Sequence, residues 1–239
     1  MIKKIRILGI APYKGLATLK KQCALQYHEI EFTAYAGSME QGLALAKRYS
    51  EHYDVIISRA NTAKMISQSV HIPVIDIGIG YYDVLRCIKM AQNTGTKFAL
   101  LGFQSLTVIA KNLCDLLQIH VDIFSFSVDN WKGSGDLLDR MKEQGYKTVV
   151  CDMIPYDHAK MIGLTPILLT SSAESVKQAM ENAIGTWQQY QKLCNSNAMM
   201  QSLIRSSSNQ YLILDLEGRC HYSTINDEKE EEFIQILQK

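Results

Sequence analysis

The run Ser58-Arg59-Ala60-Asn61-Thr62 places two hydroxyls, a guanidinium and an amide within five residues, directly after the apolar run Val55–Ile57. That mixture suits an anion. A strand that ends in polar residues before a helix presents them at the carboxyl edge of a sheet, where open α/β sheets bind ligands. The start of the following helix adds free N–H groups and a positive dipole end. Arginine adds a two-pronged clamp for carboxylate or phosphate. The competing reading is that Asn61 or Thr62 caps the helix and Arg59 pairs with a surface acid.

The same grammar recurs elsewhere. Gly102-Phe103-Gln104-Ser105 follows another apolar run, which makes Gln104 and Ser105 candidate donors to an anion, with helix capping the alternative for Ser105. Asp152, Met153 and Pro155 follow the run that ends at Cys151, and Tyr13 follows the first one. Tyr82 and Asp83 come just after the glycine-interrupted stretch Ile77–Gly80. Their hydroxyl and carboxylate could read a ligand hydroxyl or hold a hinge, and Asp83 could instead cap the next helix. The candidate ligand-binding residues are therefore Tyr13, Ser58, Arg59, Asn61, Thr62, Tyr82, Asp83, Gln104, Ser105 and Asp152. His158 reads as a helix or surface residue, and His71 and His120 as loop residues before strands, rather than as bases.

Catalytic chemistry finds less support. The six cysteines, Cys23, Cys87, Cys114, Cys151, Cys194 and Cys220, show no C-x-x-C and no repeated spacing, so neither a metal site nor a disulfide framework is expected. A racemase-like enzyme would need two opposed acid/base cysteines, one at a strand end of each lobe. Cys151 is suitably placed, but its counterpart after Ile57 is Ser58, and Cys23 and Cys87 fall on helices. No catalytic residue, cofactor or metal is expected. A third possibility is a module that binds no ligand and serves dimerisation, through the long helix from Ser172 and its continuation at Met199–Ile204.

The elements that must position these residues alternate. Strands are expected at Ile5–Ile10, Glu29–Ala36, Val55–Ser58, Val74–Asp76, Lys97–Leu101, Val121–Phe126, Thr148–Cys151 and Pro166–Leu169. Several are unbroken apolar runs, as in strands covered on both faces. Helices are expected at Met39–His52 behind Ser38, Tyr82–Gln92, Leu106–Leu117, Ser134–Gln144 ending at Gly145, and Ser172–Leu193 with a capping arrangement around Ser172 and Ser175. The alternation predicts an α/β fold with parallel sheets, divided into two Rossmann-like lobes with a ligand cleft between them. Lobe one is residues 1–77 with the helix 172–194, and lobe two is 81–170. Residues 195–239 form a linker helix and a hairpin, Tyr211–Leu216 and Arg219–Thr224 around Glu217-Gly218, before a charged stretch from Asp227 and a short terminal helix.

At 239 residues, 47% apolar and 21% charged, the chain can bury a sizeable core. A formal net charge of +1 gives no footprint for nucleic acid or an anionic membrane. No apolar stretch approaches the roughly 18 residues of a membrane span, and no secretory leader is apparent at the N-terminus. Unpaired, scattered cysteines fit a reducing cytoplasm.

Three stretches carry a resemblance: Asp54-Val-Ile-Ile-Ser-Arg-Ala-Asn-Thr-Ala-Lys, Ile72-Pro-Val-Ile-Asp-Ile and Tyr82-Asp-Val-Leu-Arg, continued by Gly145-Tyr-Lys-Thr-Val-Val-Cys-Asp and Gly163-Leu-Thr-Pro-Ile-Leu-Leu-Thr-Ser-Ser. In that order they resemble the propionate-catabolism activator (PrpR) N-terminal domain family over roughly residues 5–193. The resemblance implies the sensor of a sigma-54-dependent, NtrC-type transcriptional activator. Such a sensor takes a small-molecule effector and is followed by AAA+ ATPase and helix-turn-helix modules, often with a PAS domain between. Ile213-Leu-Asp-Leu-Glu-Gly-Arg resembles the opening hairpin of a PAS segment, which implies a natural protein that continues beyond Lys239. No Walker sequence G-x-x-x-x-G-K-[ST] is present, so ATP hydrolysis is not expected here. One departure concerns the site itself: where the family has two glycines, this chain has Ala60 and Asn61. The expected partners are a small anionic metabolite, a second copy of the chain and the downstream modules, with no direct contact to nucleic acid or membrane.

Overall fold

A computed structural model of the chain describes residues 4–127, 130, 133–206, 209, 211–215 and 219–225. It divides into two compact units, Met1–Trp187 and Gln188–Lys239.

The first unit opens with β1 (Ile5–Ala11), α1 (Lys14–Ala24), β2 (Ile30–Ala36), α2 (Met39–Tyr49), β3 (Val55–Ser58), α3 (Ala60–Ser67) and β4 (Val74–Asp76). These strands form one parallel sheet in the order β2-β1-β3-β4. Then follow α4 (Tyr81–Gln92), β5 (Phe98–Phe103), α5 (Gln104–Leu117), β6 (Asp122–Phe126), α6 (Ser134–Glu143), β7 (Thr148–Cys151), α7 (Met153–Met161) and β8 (Thr165–Leu168). Their strands form a second parallel sheet in the order β6-β5-β7-β8. The two sheets thus share one winding. All eight strands fall where the apolar runs predicted, within a residue or two at their ends. The chain is an α/β protein of two Rossmann-like lobes with parallel sheets.

The unbroken apolar runs follow from burial on both faces. In the first sheet Ile7, Val55 and Ile57 pack toward Leu16 of α1 and Val176, Ala179 and Met180 of α8 (Ala173–Ser206). Leu8, Ile10 and Ile56 point the other way, toward Ala46 and Ile66. In the second sheet Leu100 and Val150 meet Val84, Cys87 and Ile88 of α4, while Leu101, Val149 and Cys151 meet Leu138, Met141 and Ala159. The chain therefore crosses between lobes twice, after β4 and after β8.

Helix ends follow local chemistry. Beyond α6, Gly145 adopts φ +82°, its N–H donates to the Lys142 carbonyl, and the Tyr146 N–H donates to Met141. That is a Schellman closure, which needs a residue free to turn left-handed. At the start of α8 the Ser172 hydroxyl accepts from the Ser175 N–H at 3.3 Å, as the capping expectation required. Helix α7 has no counterpart in the expected elements. Pro155 reads as a breaker in the sequence, but it occupies the first turn, where its missing N–H would have no helical partner anyway.

In the second unit α8 runs on unbroken through the expected connection, and β9 (Leu212–Leu214) pairs antiparallel with β10 (Cys220–Ser223) as the expected C-terminal hairpin. The Glu217-Gly218 turn and the charged stretch and terminal helix from Asp227 lie outside the described residues.

Candidate functional site

In each sheet the winding reverses direction between two central strands, β1 and β3 in the first and β5 and β7 in the second. Their carboxyl ends are the switch points where open α/β sheets bind ligands. The residues that follow those four strands converge on a single, partly open cavity of about 40 Å³. Pro12 and Tyr13 come after β1, Arg59–Thr62 after β3, Phe103 and Ser105 from the end of β5, and Asp152–Ile154 after β7.

The polar groups at this cavity are under-used. Arg59 is 5% exposed; one guanidinium nitrogen donates to the Leu169 carbonyl at 2.9 Å, and the other, Nη2, is buried with no partner. The Tyr13 hydroxyl and the Asn61 amide nitrogen are likewise buried without partners, as are, away from the lining, the Ser58 and Ser171 hydroxyls. Buried polar groups are nearly always hydrogen-bonded, so such a cluster calls for an explanation. Burial also pushes the Tyr13 phenol up, keeping it a neutral donor, and pushes the Asp152 carboxyl up against the opposing pull of Arg59.

The sequence candidates separate on this geometry. Tyr13, Arg59, Asn61, Thr62, Ser105 and Asp152 line the cavity. Thr62 has a structural task as well, its Oγ1 accepting the Met39 N–H at 3.1 Å. Ser58 lies just beneath, fully buried. Gln104 borders a neighbouring groove with Asn61, Lys64 and Phe126 rather than the cavity itself. Tyr82 is 66% exposed on α4 and Asp83 is fully buried at the crossover, so neither lines the cavity. The local expectations of helix capping are corrected too. Strand β5 runs straight into α5 with Phe103 at the cap, Arg59 caps α3, and Gly80 precedes α4. Ser105, Asn61, Thr62 and Asp83 therefore sit inside the helices rather than at their caps.

Asp83 instead binds the other crossover. It accepts the Ser172 N–H at 2.9 Å and the Ser175 hydroxyl at 3.3 Å, while Arg86, one turn along α4, donates to the Thr170 carbonyl and hydroxyl. The strand-to-helix passages after β4 and β8 are thus clasped together, and Arg59 reaches the same segment at Leu169.

Two features were not foreseen. Lys20 of α1 is fully buried beneath the strand ends, donating to the carbonyls of Ile10 at 2.8 Å and Ile57 at 3.0 Å. It ties together the two strands that deliver Tyr13 and Arg59. Its signal was present: Leu16, Lys20, Cys23 and Ala24 share one helix face, which makes Lys20 a cation on an apolar stripe. The second feature is Ala60, whose φ is +49°. Its N–H is held by the Asp76 carboxylate at 2.7 Å. A left-handed φ strains any residue with a Cβ. Ala60→Gly should therefore raise stability by about 0.5–1 kcal/mol in a urea melt, relief of strain outweighing the added freedom of the unfolded chain. A loss of stability would show that the left-handed turn is not strained.

The racemase arrangement does not assemble. Cys151 is fully buried in the second sheet, with its thiol pushed far up by burial beside Asp152. Cys23 and Cys87 are buried on helices, their thiols also pushed up. Such thiols are poor nucleophiles and poor bases. Among the described residues no three His, Cys, Asp or Glu side chains group to hold a metal, and no helix is long and apolar enough to cross a membrane. A larger depression of about 1170 Å³ follows edge strand β6 and α5, but none of its lining side chains holds a buried unpartnered polar atom.

Two lobes of one winding, each with its switch point and joined by paired crossovers, define a two-lobe α/β protein. The chain belongs to the propionate catabolism activator (PrpR N-terminal) family, whose model matches residues 26–192. No curated protein matches it in sequence. Among solved structures it resembles an NtrC family transcriptional regulator from Clostridium acetobutylicum, with 25% identity, a TM-score of 0.68, and coverage of 77% of this chain and 97% of that one. Fainter likenesses are to the transcription regulator CcpA of Lactococcus lactis (12% identity, TM-score 0.45, 78% and 92% covered) and to a periplasmic solute-binding protein from Actinobacillus succinogenes with bound D-allose (12%, 0.45, 78% and 92%). At that level they say nothing about a ligand.

Proposed function

We propose that this chain is the effector-sensing part of a sigma-54-dependent, NtrC-type transcriptional activator of the cytoplasm, and that it binds a small anionic metabolite between its lobes. The observation that carries the reading is Arg59 Nη2, buried and unpartnered in a cavity shared with the unpartnered Tyr13 hydroxyl and Asn61 amide. A carboxylate or phosphate oxygen satisfies these donors at once. An uncompensated buried cation is costly, so the ligand gains what the empty site lacks.

The proposed signal is a hinge closure. The ligand joins the loops after β1 and β3 to those after β5 and β7, so it favours the lobe angle at which both sets reach it. A ligand shifts such an equilibrium by its differential affinity for the two states. The crossover that Arg59 and Asp83 both hold leads directly into α8. Closure therefore moves the root of α8, which carries the change toward a PAS-like segment and then to AAA+ and DNA-binding modules of the full-length protein. The family relation and the NtrC-type structural relative favour this regulatory role over an enzymatic one.

A thermal-shift screen of the full chain against small carboxylates and phosphorylated metabolites tests the reading. At 100 times its dissociation constant a ligand adds about 2.7 kcal/mol, a rise of roughly 5–11 °C for a chain of this size. A panel that produces no shift contradicts it.

A homodimeric state is favoured by a separate observation. Tyr190, Leu193, Asn197, Met200 and Ile204 of α8 follow a three-four-three-four spacing, and Tyr190, Leu193 and Met200 are more than half exposed. One Asn in an otherwise apolar seam is the pattern by which two parallel helices fix their register. We expect wild-type chain to sediment as a dimer and Leu193→Glu/Met200→Glu as a monomer. A monomeric wild type would remove this reading and leave the sensing one untouched.

A further inference from the structure

The cavity opposes a cation and an acid. Arg59 comes from the first lobe, with one nitrogen spent on Leu169 and Nη2 free. Asp152 comes from the second. It is the cap residue of α7, yet its side chain makes no capping bond. Aspartate at that position ordinarily accepts from the first turn of its own helix. Here the carboxylate turns instead toward the strand end of β5, beside the Phe103 N–H and over Gly102, where an added Cβ would come within 3.2 Å of Oδ2. No ion pair joins Asp152 to Arg59 or to another described cation. Between the two ends the lining is mainly apolar, with Pro12, Met39, Phe103, Met153 and Ile154.

Resting on the anion-sensing reading above, we infer that the cleft selects a small ligand with a single anionic group: one carboxylate or phosphate head for Arg59, a short apolar body, and a hydroxyl or ammonium donor for Asp152. Each group answers one end of the cavity. Asp152 offers acceptor oxygens to a hydroxyl or ammonium, and such a donor holds it ionised against the upward push of burial, whereas a second ligand carboxylate leaves two acids to share a proton that must be taken up on binding. The apolar walls return little to a ligand charged along its whole length. Di- and tricarboxylates are thus disfavoured by the residue that welcomes a donor, which is discrimination by repulsion as much as by attraction.

Titration calorimetry on the full chain separates the possibilities, using three- to five-carbon ω-hydroxy acids and ω-amino acids, the unsubstituted monoacids and the matching diacids. In the wild type the best donor-bearing monoacid should bind at least about tenfold tighter than the diacid of its length, with the plain monoacid between. In Asp152→Asn the diacid should gain about tenfold and the ranking should collapse, while Arg59→Met should lose every compound. Should Asp152→Asn fail to fold, the wild-type ranking decides by itself. A diacid that binds the wild type as well as the donor-bearing monoacid overturns the inference and leaves the anion site standing. Binding by no compound in the series overturns the anion reading on which the inference rests.

Discussion

Between pH 7 and 9.5 the stability of the wild-type chain relative to Lys20→Met should climb by about 3 kcal/mol. Burial, with Arg59 nearby, lowers the Lys20 ammonium to about 7, against a weaker opposing pull from Asp76. In the unfolded chain a lysine titrates near 10.4. Above pH 7 the unfolded chain therefore holds one proton more than the folded chain, and stability rises with pH where the unfolded state binds more protons. Each unit of that interval contributes about 1.4 kcal/mol. The hydrogen-bond geometry agrees. A neutral amine has two N–H groups, and Nζ has two carbonyl partners, Ile10 and Ile57. The third proton of the charged form has no partner there. Urea melts of both variants across this range give the difference directly, because every other titrating group is common to both. Parallel profiles would mean that Lys20 stays charged in the fold.

Removing the Arg59 guanidinium should weaken the tightest small carboxylate at least about 100-fold, which is 2.7 kcal/mol or more. Arg59 itself is buried, and a charged hydrogen bond to a buried group is worth more than one at a surface. Arg59→Met keeps much of the apolar stem and removes the charge. It also frees the Leu169 carbonyl, so some folding stability goes too. Calorimetry reads the two losses apart, since affinity per folded molecule is insensitive to a modest change in melting temperature. Unchanged affinity in Arg59→Met would place the anion elsewhere.

Much of this fold was legible because burial on both faces writes an unbroken apolar run. Val55–Ser58 and Thr148–Cys151 could be bounded to the residue. The convergence of strand-end loops was legible in kind, since Tyr13, Arg59, Asn61 and Asp152 each follow such a run. Strand order was not, because adjacency in a parallel sheet leaves no local mark. Asp83 was ambiguous for a related reason. An acid in the first turn of a helix looks like a partner for its own N–H groups, and its actual donors, Ser172 and Ser175, lie about ninety residues away. Lys20 was missed because the helix carrying Cys23 was given no bounds, and its apolar stripe is needed before a lysine upon it stands out. At Ala60 the sequence showed only a departure from a glycine pair. The left-handed φ shows what glycine would have been there to permit.

The central claim is that one ligand is held by both lobes at once. Amide hydrogen exchange on the full chain, with and without the tightest-binding small carboxylate of the panel, tests it most directly. The account predicts slowed exchange together in residues 13–17 and 59–63 of the first lobe, 103–107 and 152–156 of the second, and the crossover at 169–175. Protection confined to the loops of a single sheet, or lying outside these segments, would contradict it.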